Sequence, residues 1–87
     1  MTRTTLIEFP CYFPVKIIGT NSESFIYEIK EITIKHFPNF KETDLTHKLI
    51  QKSSFLSITT IVYAESQEML DVYYQALVKH PDIKMVL

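Results

Sequence analysis

Three histidines and one cysteine are the side chains in this sequence that most often bind metals or act as nucleophiles. His36 and His80 each lie one or two residues before a proline that ends a predicted helix, and His47 lies in a predicted strand. No His-x-x-x-His pair and no pair of cysteines supplies the spacing of a zinc site. We therefore predict no metal, and we expect His36 and His80 to interact with the last carbonyl groups of their helices.

Nucleophilic and acid–base catalysis also lack a suitable set of residues. Cys11 lies in an aromatic segment flanked by prolines with no histidine beside it, so we expect a packed or half-exposed thiol. Carboxylates such as Glu28 and Glu31 fall on the outer face of a predicted helix, where charges are solvated. The sequence therefore predicts a protein that is not an enzyme, with no catalytic residues and no cofactor.

Composition limits both the architecture and the class of ligand. The chain has 87 residues, of which 46% are hydrophobic and 13% aromatic, which is enough for one core. A single glycine excludes the glycine-rich loops that bind nucleotides. We predict a flexible N-terminal arm over residues 1–8 and a single domain over residues 9–87.

Charge and cysteine content bear on the compartment. The formal net charge is −1, so the chain as a whole does not attract nucleic acid. No apolar segment has the length of a membrane span, and residues 1–8 do not resemble a signal peptide. One cysteine excludes an internal disulfide, so we expect a cytoplasmic protein and no membrane partner.

Hydrophobic periodicity divides the chain into six predicted elements. Helical spacing places Phe25, Ile29 and Thr33 on one face of a helix that Thr20, Asn21 or Ser22 would cap. We predict strands over 13–18, 41–51, 55–63 and 83–87, and helices over 23–37 and 66–80. Gly19 would end the first strand, and a turn at Lys52-Ser53-Ser54 would join the second and third strands into a hairpin.

This order, β-α-β-β-α-β, predicts a ferredoxin-like α+β sandwich. The strand order would be 4-1-3-2 in an antiparallel sheet, with both helices on one face. The other face would be semi-apolar, because Ser57, Thr59 and Ile61 alternate with equally mixed neighbours, and such a face suits a homodimer. An ordinary monomer surface is the alternative.

Binding of single-stranded RNA on this uncovered face is a further alternative. Phe55 and Tyr63 would supply aromatic rings for base stacking. Four lysines would make the face locally basic: Lys16, Lys48, Lys52 and Lys84. The characteristic RNA-binding pattern of a basic residue, glycine and interleaved aromatics is absent, so we regard a nucleic-acid partner as a minor alternative.

The sequence resembles the YbeD family of small bacterial proteins of unknown function, from Glu8 to Leu87. The resemblance depends on residues spread along the chain: Glu8-Phe9-Pro10, Phe13, Lys16, Gly19, His36, Pro38, Ser57 and Met85-Val86-Leu87. Many relatives have a glycine in the hairpin turn, where this chain has Lys52-Ser53-Ser54.

This resemblance implies an ACT-like regulatory domain. Relatives are described as regulatory proteins that bind lipoic acid, and their genes often neighbour a lipoate-biosynthesis enzyme. ACT domains bind amino acids near the turn after the first strand, where this chain has Gly19, Thr20 and Asn21, followed by Ser22. Backbone N–H groups there could receive a carboxylate, whereas Gly19 as a simple turn residue is the plainer interpretation.

The resulting hypothesis is a regulatory or interaction module without enzymatic activity. It would bind a small carboxylate metabolite, related to lipoate or an amino acid, at Gly19, Thr20, Asn21 and Ser22. The alternatives are a pure protein-interaction domain and, less favoured, a domain that binds single-stranded RNA.

Overall fold

The computed structural model describes residues 8–50 and 54–87, and these form four strands, two α-helices and one short 3₁₀ helix. The strands are β1 (Cys11–Thr20), β2 (Leu45–Ile50), β3 (Phe55–Ala64) and β4 (Ile83–Val86). The α-helices are α1 (Glu23–His36) and α2 (Gln67–Val78), and the 3₁₀ helix is Glu42–Asp44.

The strands form one antiparallel sheet in the order β2-β3-β1-β4. This order is the predicted 4-1-3-2 arrangement, so the ferredoxin-like fold is confirmed. The ten residues of β1 pair with the ten residues of β3, from Cys11 opposite Ala64 to Thr20 opposite Phe55. The pairing of these two central strands therefore determines which of their side chains lie side by side on each face of the sheet.

The first strand is longer than predicted, because Gly19 does not end it. Gly19 lies inside β1 opposite Leu56, and its φ is not positive. A Cβ atom there would lie 2.3 Å from the ring of Phe25 and 2.6 Å from the carbonyl oxygen of Asp82. The glycine therefore permits a close approach of α1 and the segment before β4, and the expectation of a turn residue is wrong.

Two other boundaries differ from the prediction. Residues 41–44 do not extend the second strand, because the N–H group of Asp44 bonds to the carbonyl oxygen of Lys41 (2.8 Å) and closes a 3₁₀ turn. Helix α2 ends at Val78, because the N–H group of His80 bonds to the carbonyl oxygen of Leu77 (3.0 Å) and Pro81 follows. The predicted hairpin turn and the predicted arm fall largely on residues 51–53 and 1–7, which lie outside the described residues.

Both α-helices begin at a serine. The Ser22 hydroxyl accepts a hydrogen bond from the N–H group of Phe25 (3.0 Å), and the Ser66 hydroxyl accepts one from the N–H group of Met69 (3.3 Å). Ser22 is thus the cap among the three predicted candidates.

One face of the sheet packs against both helices. The core cluster combines Val15 and Ile17 of β1 with Phe25 and Ile29 of α1, and it extends to residues such as Tyr73 of α2. The hydroxyl of Tyr73 lies 2.7 Å from the hydroxyl of Thr33 and 3.0 Å from that of Thr60, so these buried polar groups satisfy one another.

No helix of residues 8–50 and 54–87 covers the opposite face of the sheet, and we call it the open face. Residue alternation along paired strands assigns side chains to it. These are Tyr12, Pro14, Lys16, Ile18, Thr20, Thr46, Lys48, Ile50, Phe55, Ser57, Thr59, Ile61, Tyr63 and Met85.

Candidate functional site

The segment Gly19–Ser22, where a carboxylate was expected, makes several contacts of its own. Gly19 is buried against Phe25 and the backbone of Asp82. Both the N–H group and the hydroxyl of Thr20 donate to the carbonyl oxygen of Asp82, at 3.1 and 3.4 Å. Ser22 is the cap of α1, and Asn21 is exposed. These contacts give Gly19, Thr20 and Ser22 structural roles, and carboxylate binding at Gly19–Ser22 stays a prediction.

A cluster beside this segment joins α1 to the turn before β4. His80 Nε2 lies 2.6 Å from Glu28 Oε1, and the backbone N–H group of Asp82 donates to His80 Nδ1 at 3.1 Å. The ring of His80 also packs edge-on against Phe25, with centroids 5.4 Å apart. The expectation that the His80 side chain bonds to the last carbonyls of its helix is wrong, because the ring is turned towards α1 instead.

The donor atoms of Glu28, His80 and Asp82 lie within 4.8 Å of one another, which raises the question of a metal ion. A backbone N–H group can only donate, so Nδ1 of His80 is the acceptor and Nε2 carries the proton towards Glu28. Coordination through Nε2 would move that proton to Nδ1 and set it against the Asp82 N–H group. The geometry therefore fits hydrogen bonds that join α1 to the turn before β4 better than it fits a metal centre.

His36 and Cys11 lie outside this cluster. The ring of His36, in the last turn of α1, packs against Tyr73 with centroids 6.0 Å apart. Cys11 is a free, half-buried thiol at the start of β1, as expected.

A cavity of about 610 Å³ lies at the end of the sheet where α1 gives way to the 3₁₀ helix. Its lining joins the exposed aromatic rings of Tyr12 and Tyr63 to the segment around Phe37 and Phe40. The charged residues in its lining are Lys41, Asp44 and Glu65, so carboxylates outnumber cations. This balance disfavours an anionic ligand.

The centre of the open face has the opposite charge. A shallow depression of about 280 Å³ is lined by two lysines, one histidine and three hydroxyl groups, with no carboxylate. Its lining residues are Lys16, Thr46, His47, Lys48, Ser57 and Thr59. Lys16 and Lys48 were both predicted for this face, so that part of the basic patch is confirmed; Lys52 lies outside the described residues.

The predicted aromatic platform is only partly formed. Phe55 and Tyr63 share the open face, but they lie eight positions apart along β3, which is about 26 Å. Tyr63 instead contacts Tyr12, with ring centroids 4.9 Å apart and Tyr12 exposed to 69%. Two rings so far apart cannot stack on neighbouring bases, which weakens the RNA alternative.

Sequence reasoning missed the contact of Glu28 with His80 and the cavity at the end of α1. Glu28 and His80 are 52 residues apart, and no local spacing signals their contact. The cavity depends on the 3₁₀ turn that replaces the expected start of the second strand. Both features belong to tertiary packing.

The fold and the open face define a ferredoxin-like α+β protein with an uncovered sheet surface. The family model described as "protein of unknown function (DUF493)" matches residues 4–87, and the chain belongs to this family. This finding confirms the resemblance to the YbeD family.

Similar proteins occur in several bacteria. A UPF0250 protein of Nitrosomonas europaea is 38% identical over 87 residues and covers 100% of both chains. A UPF0250 protein of Chromobacterium violaceum is 39% identical over 85 residues, covering 98% of this chain and 96% of its own. These relatives are uncharacterised, so they establish the family and not an activity.

Among solved structures, the solution structure of protein HP0495 from H. pylori is similar in fold. Its TM-score is 0.80, with 17% sequence identity, and the match covers 99% of this chain and 90% of that one. At this identity the likeness concerns the fold alone.

A helix that crosses a membrane must be long and apolar. Within residues 8–50 and 54–87, neither helix is long and apolar enough to cross a membrane.

Proposed function

We propose that this protein is a cytoplasmic regulatory or interaction module, without enzymatic activity, that binds a small carboxylate-bearing metabolite. It would act as one domain over residues 9–87, in the manner of an ACT-like domain, by changing its surface when the ligand is bound. The DUF493 family supports a small uncharacterised module and indicates no catalytic class.

The observation that carries the proposal is the chemistry of the open face. Its centre presents Lys16 and Lys48 beside hydroxyl groups, in a chain whose formal net charge is −1. A local positive surface attracts small anions even where the net charge of the protein is slightly negative. The predicted carboxylate position at Gly19–Ser22 is the second place where such a ligand could be held.

An amide NMR titration of the full chain tests this proposal directly. The panel holds octanoate, lipoate, several amino acids and a short single-stranded RNA, with sodium chloride as the ionic-strength control. Saturable shifts with a carboxylate, at either place, support the proposal. An absence of saturable shifts with every carboxylate would contradict it.

A pure protein-interaction domain is the second candidate, and exposed apolar side chains favour it. Tyr12, Tyr63 and Met85 are exposed to 69%, 42% and 51% on the open face. Exposed apolar groups of this size commonly mark contact surfaces. A partner captured by the wild type and lost on Tyr63→Ser, with no response to carboxylates, would favour this candidate. Saturable, salt-sensitive shifts with RNA would favour a third candidate, a domain that binds single-stranded RNA.

A further inference from the structure

We infer that Lys16, Lys48 and Ser57 form a binding site for a carboxylate or phosphate oxyanion at the centre of the open face. The inference rests on the proposed function and names the residues that recognise the anionic group. It places that recognition on β1, β2 and β3, away from the Gly19–Ser22 segment.

The register of the sheet brings these residues together. Lys16 on β1 lies opposite Thr59 on β3, and Lys48 on β2 lies opposite Ser57 on the other side of β3. The two lysines therefore flank the central strand diagonally, with Cα atoms about 12 Å apart from strand spacing and rise. Their long flexible side chains can converge on one anion above Ser57.

Ser57 differs from the other buried polar residues of the described chain. The described chain has three buried polar residues, Thr33, Ser57 and Thr60. The hydroxyls of the two threonines hydrogen-bond to the hydroxyl of Tyr73. Ser57 is 6% exposed, and its hydroxyl makes no hydrogen bond to another described residue. Because no fully buried side-chain polar atom of the described residues lacks a partner, this hydroxyl reaches the surface of the sheet. Ser57 lines the depression between the lysines, so its hydroxyl is available to a ligand there.

The two lysines are also unpaired. Neither ammonium group forms an ion pair with a carboxylate of the described residues, whereas Lys30 pairs with Glu42 at the edge of the fold. The backbone of Lys16 does pair with that of Leu87, and this fixes the Lys16 position without neutralising its charge. The open face as defined carries no aspartate or glutamate side chain.

These groups match the needs of an oxyanion. Two ammonium groups supply charge, and a hydroxyl supplies a directed hydrogen bond to an oxygen that carries negative charge. Thr46 and Thr59 add further hydroxyl groups at the rim of the same depression. A shallow site that remains open to solvent suits a terminal carboxylate or phosphate of a larger molecule, whose remaining atoms extend along the open face.

The test titrates the full chain at low ionic strength with inorganic phosphate and, separately, with acetate and octanoate. Amide shifts are followed for the wild type and for Ser57→Ala, Lys16→Gln and Lys48→Gln. We expect saturable shifts at residues 16, 48, 57 and 59, and a dissociation constant raised about fivefold to tenfold by each variant. Lys35→Gln, on the far side of the molecule in the last turn of α1, is the matched control and should bind as the wild type does.

Ser57→Ala removes one oxygen without adding bulk, and its thermal unfolding curve verifies that the fold is retained. Unchanged affinity in both Ser57→Ala and Lys16→Gln would overturn the inference. Saturable shifts confined to Gly19–Ser22 would also overturn it while leaving the proposed function intact. Binding of phosphate but no carboxylate at residues 16, 48 and 57 would support the oxyanion site and contradict the proposed function.

Discussion

Tyr73 shows how one buried hydroxyl organises the core. The residue is fully buried, and its hydroxyl lies within hydrogen-bond distance of Thr33 on α1 and Thr60 on β3. The hydroxyl of Thr33 also donates to the carbonyl oxygen of Ile29 (2.8 Å). A single side chain of α2 thus links the other helix to the central sheet.

Tyr73→Phe should destabilise the fold by about 1–3 kcal/mol, because it leaves the buried Thr60 hydroxyl without a partner. Urea unfolding at neutral pH measures the difference. Tyr74→Phe is the control, since the Tyr74 hydroxyl makes only a long, exposed bond of 3.5 Å to the Leu87 carbonyl oxygen. Equal losses in the two variants would contradict the role assigned to the buried network.

The same hydroxyl predicts a loss of stability in alkali. Burial raises the pKa of Tyr73 above its ordinary value of 10.0. The folded state therefore holds this proton more firmly than the unfolded state, so the stabilisation is complete below pH 10 and declines as the pH rises above it. Burial also raises the pKa of Tyr74, in the same direction. The free energy of unfolding should fall as the pH rises above about 10, and less steeply in Tyr73→Phe; an equal slope would count against the assignment.

Gly19 was predicted to be a turn residue, but in the structure a glycine is needed there because a larger residue would not fit. Gly19→Ala should cost about 1–3 kcal/mol, because the new methyl group would overlap the Phe25 ring and the Asp82 carbonyl oxygen. Thermal and urea unfolding measure this loss. Combining it with Phe25→Leu should give less than the sum of the two single losses, since the smaller side chain makes room. Strict additivity would show that the Phe25 contact is not the cause.

At the scale of elements, the residue types along the chain predicted where the two helices begin. They did not predict the start of the second strand or the contacts between elements. Ser22 and Ser66 cap α1 and α2 because their hydroxyls accept hydrogen bonds from N–H groups that the first turn of a helix leaves without a partner. The start of the second strand was misplaced because the prediction extended the alternation of residues 45–50 back to Lys41, whereas residues 42–44 form a 3₁₀ turn. Glu42, inside that turn, pairs with Lys30 of α1, a contact 12 residues away that no local pattern contains.

Ser22→Ala and Ser66→Ala should each lower the free energy of unfolding by about 1 kcal/mol, whereas the corresponding glycine variants should lose only a few tenths. Both substitutions remove the capping hydrogen bond, so the difference between them measures the backbone preference of the position. Urea unfolding of the wild type and the four variants provides the measurement. Alanine variants as stable as the wild type at both positions would show that the capping bonds do not contribute.

At the scale of the whole molecule, sequence reasoning predicted the strand order and the uncovered face, but it did not assemble the site. The alternation of Ser57, Thr59 and Ile61 indicates which side chains share a face, yet only the pairing register places Lys16 and Lys48 on either side of Ser57. Burial of Ser57 likewise depends on neighbours from two other strands. Register and burial are long-range properties, whereas the Gly19–Ser22 segment was predicted from the family resemblance.

The homodimer stays a prediction, and the charge at the centre of the open face constrains its geometry. Two copies stacked centre to centre would bring the unpaired Lys16 and Lys48 of each against those of the other, which is repulsive. A dimer through this face would have to be displaced towards the apolar end, where Ile61 neighbours Tyr12 and Tyr63. Its association should strengthen as salt screens the lysines.

Ile61→Lys tests that geometry, because it adds charge at the apolar end of the open face. We expect sedimentation equilibrium at moderate salt to show a lower dimer fraction in this variant. Ile34→Lys is a closely matched control: Ile34 is exposed to 38% and Ile61 to 40%, but Ile34 lies on α1. A wild type that stays monomeric at every concentration tested would contradict the homodimer itself. A dimer that Ile61→Lys leaves intact would place the interface elsewhere, and the oxyanion site would then remain accessible in both states.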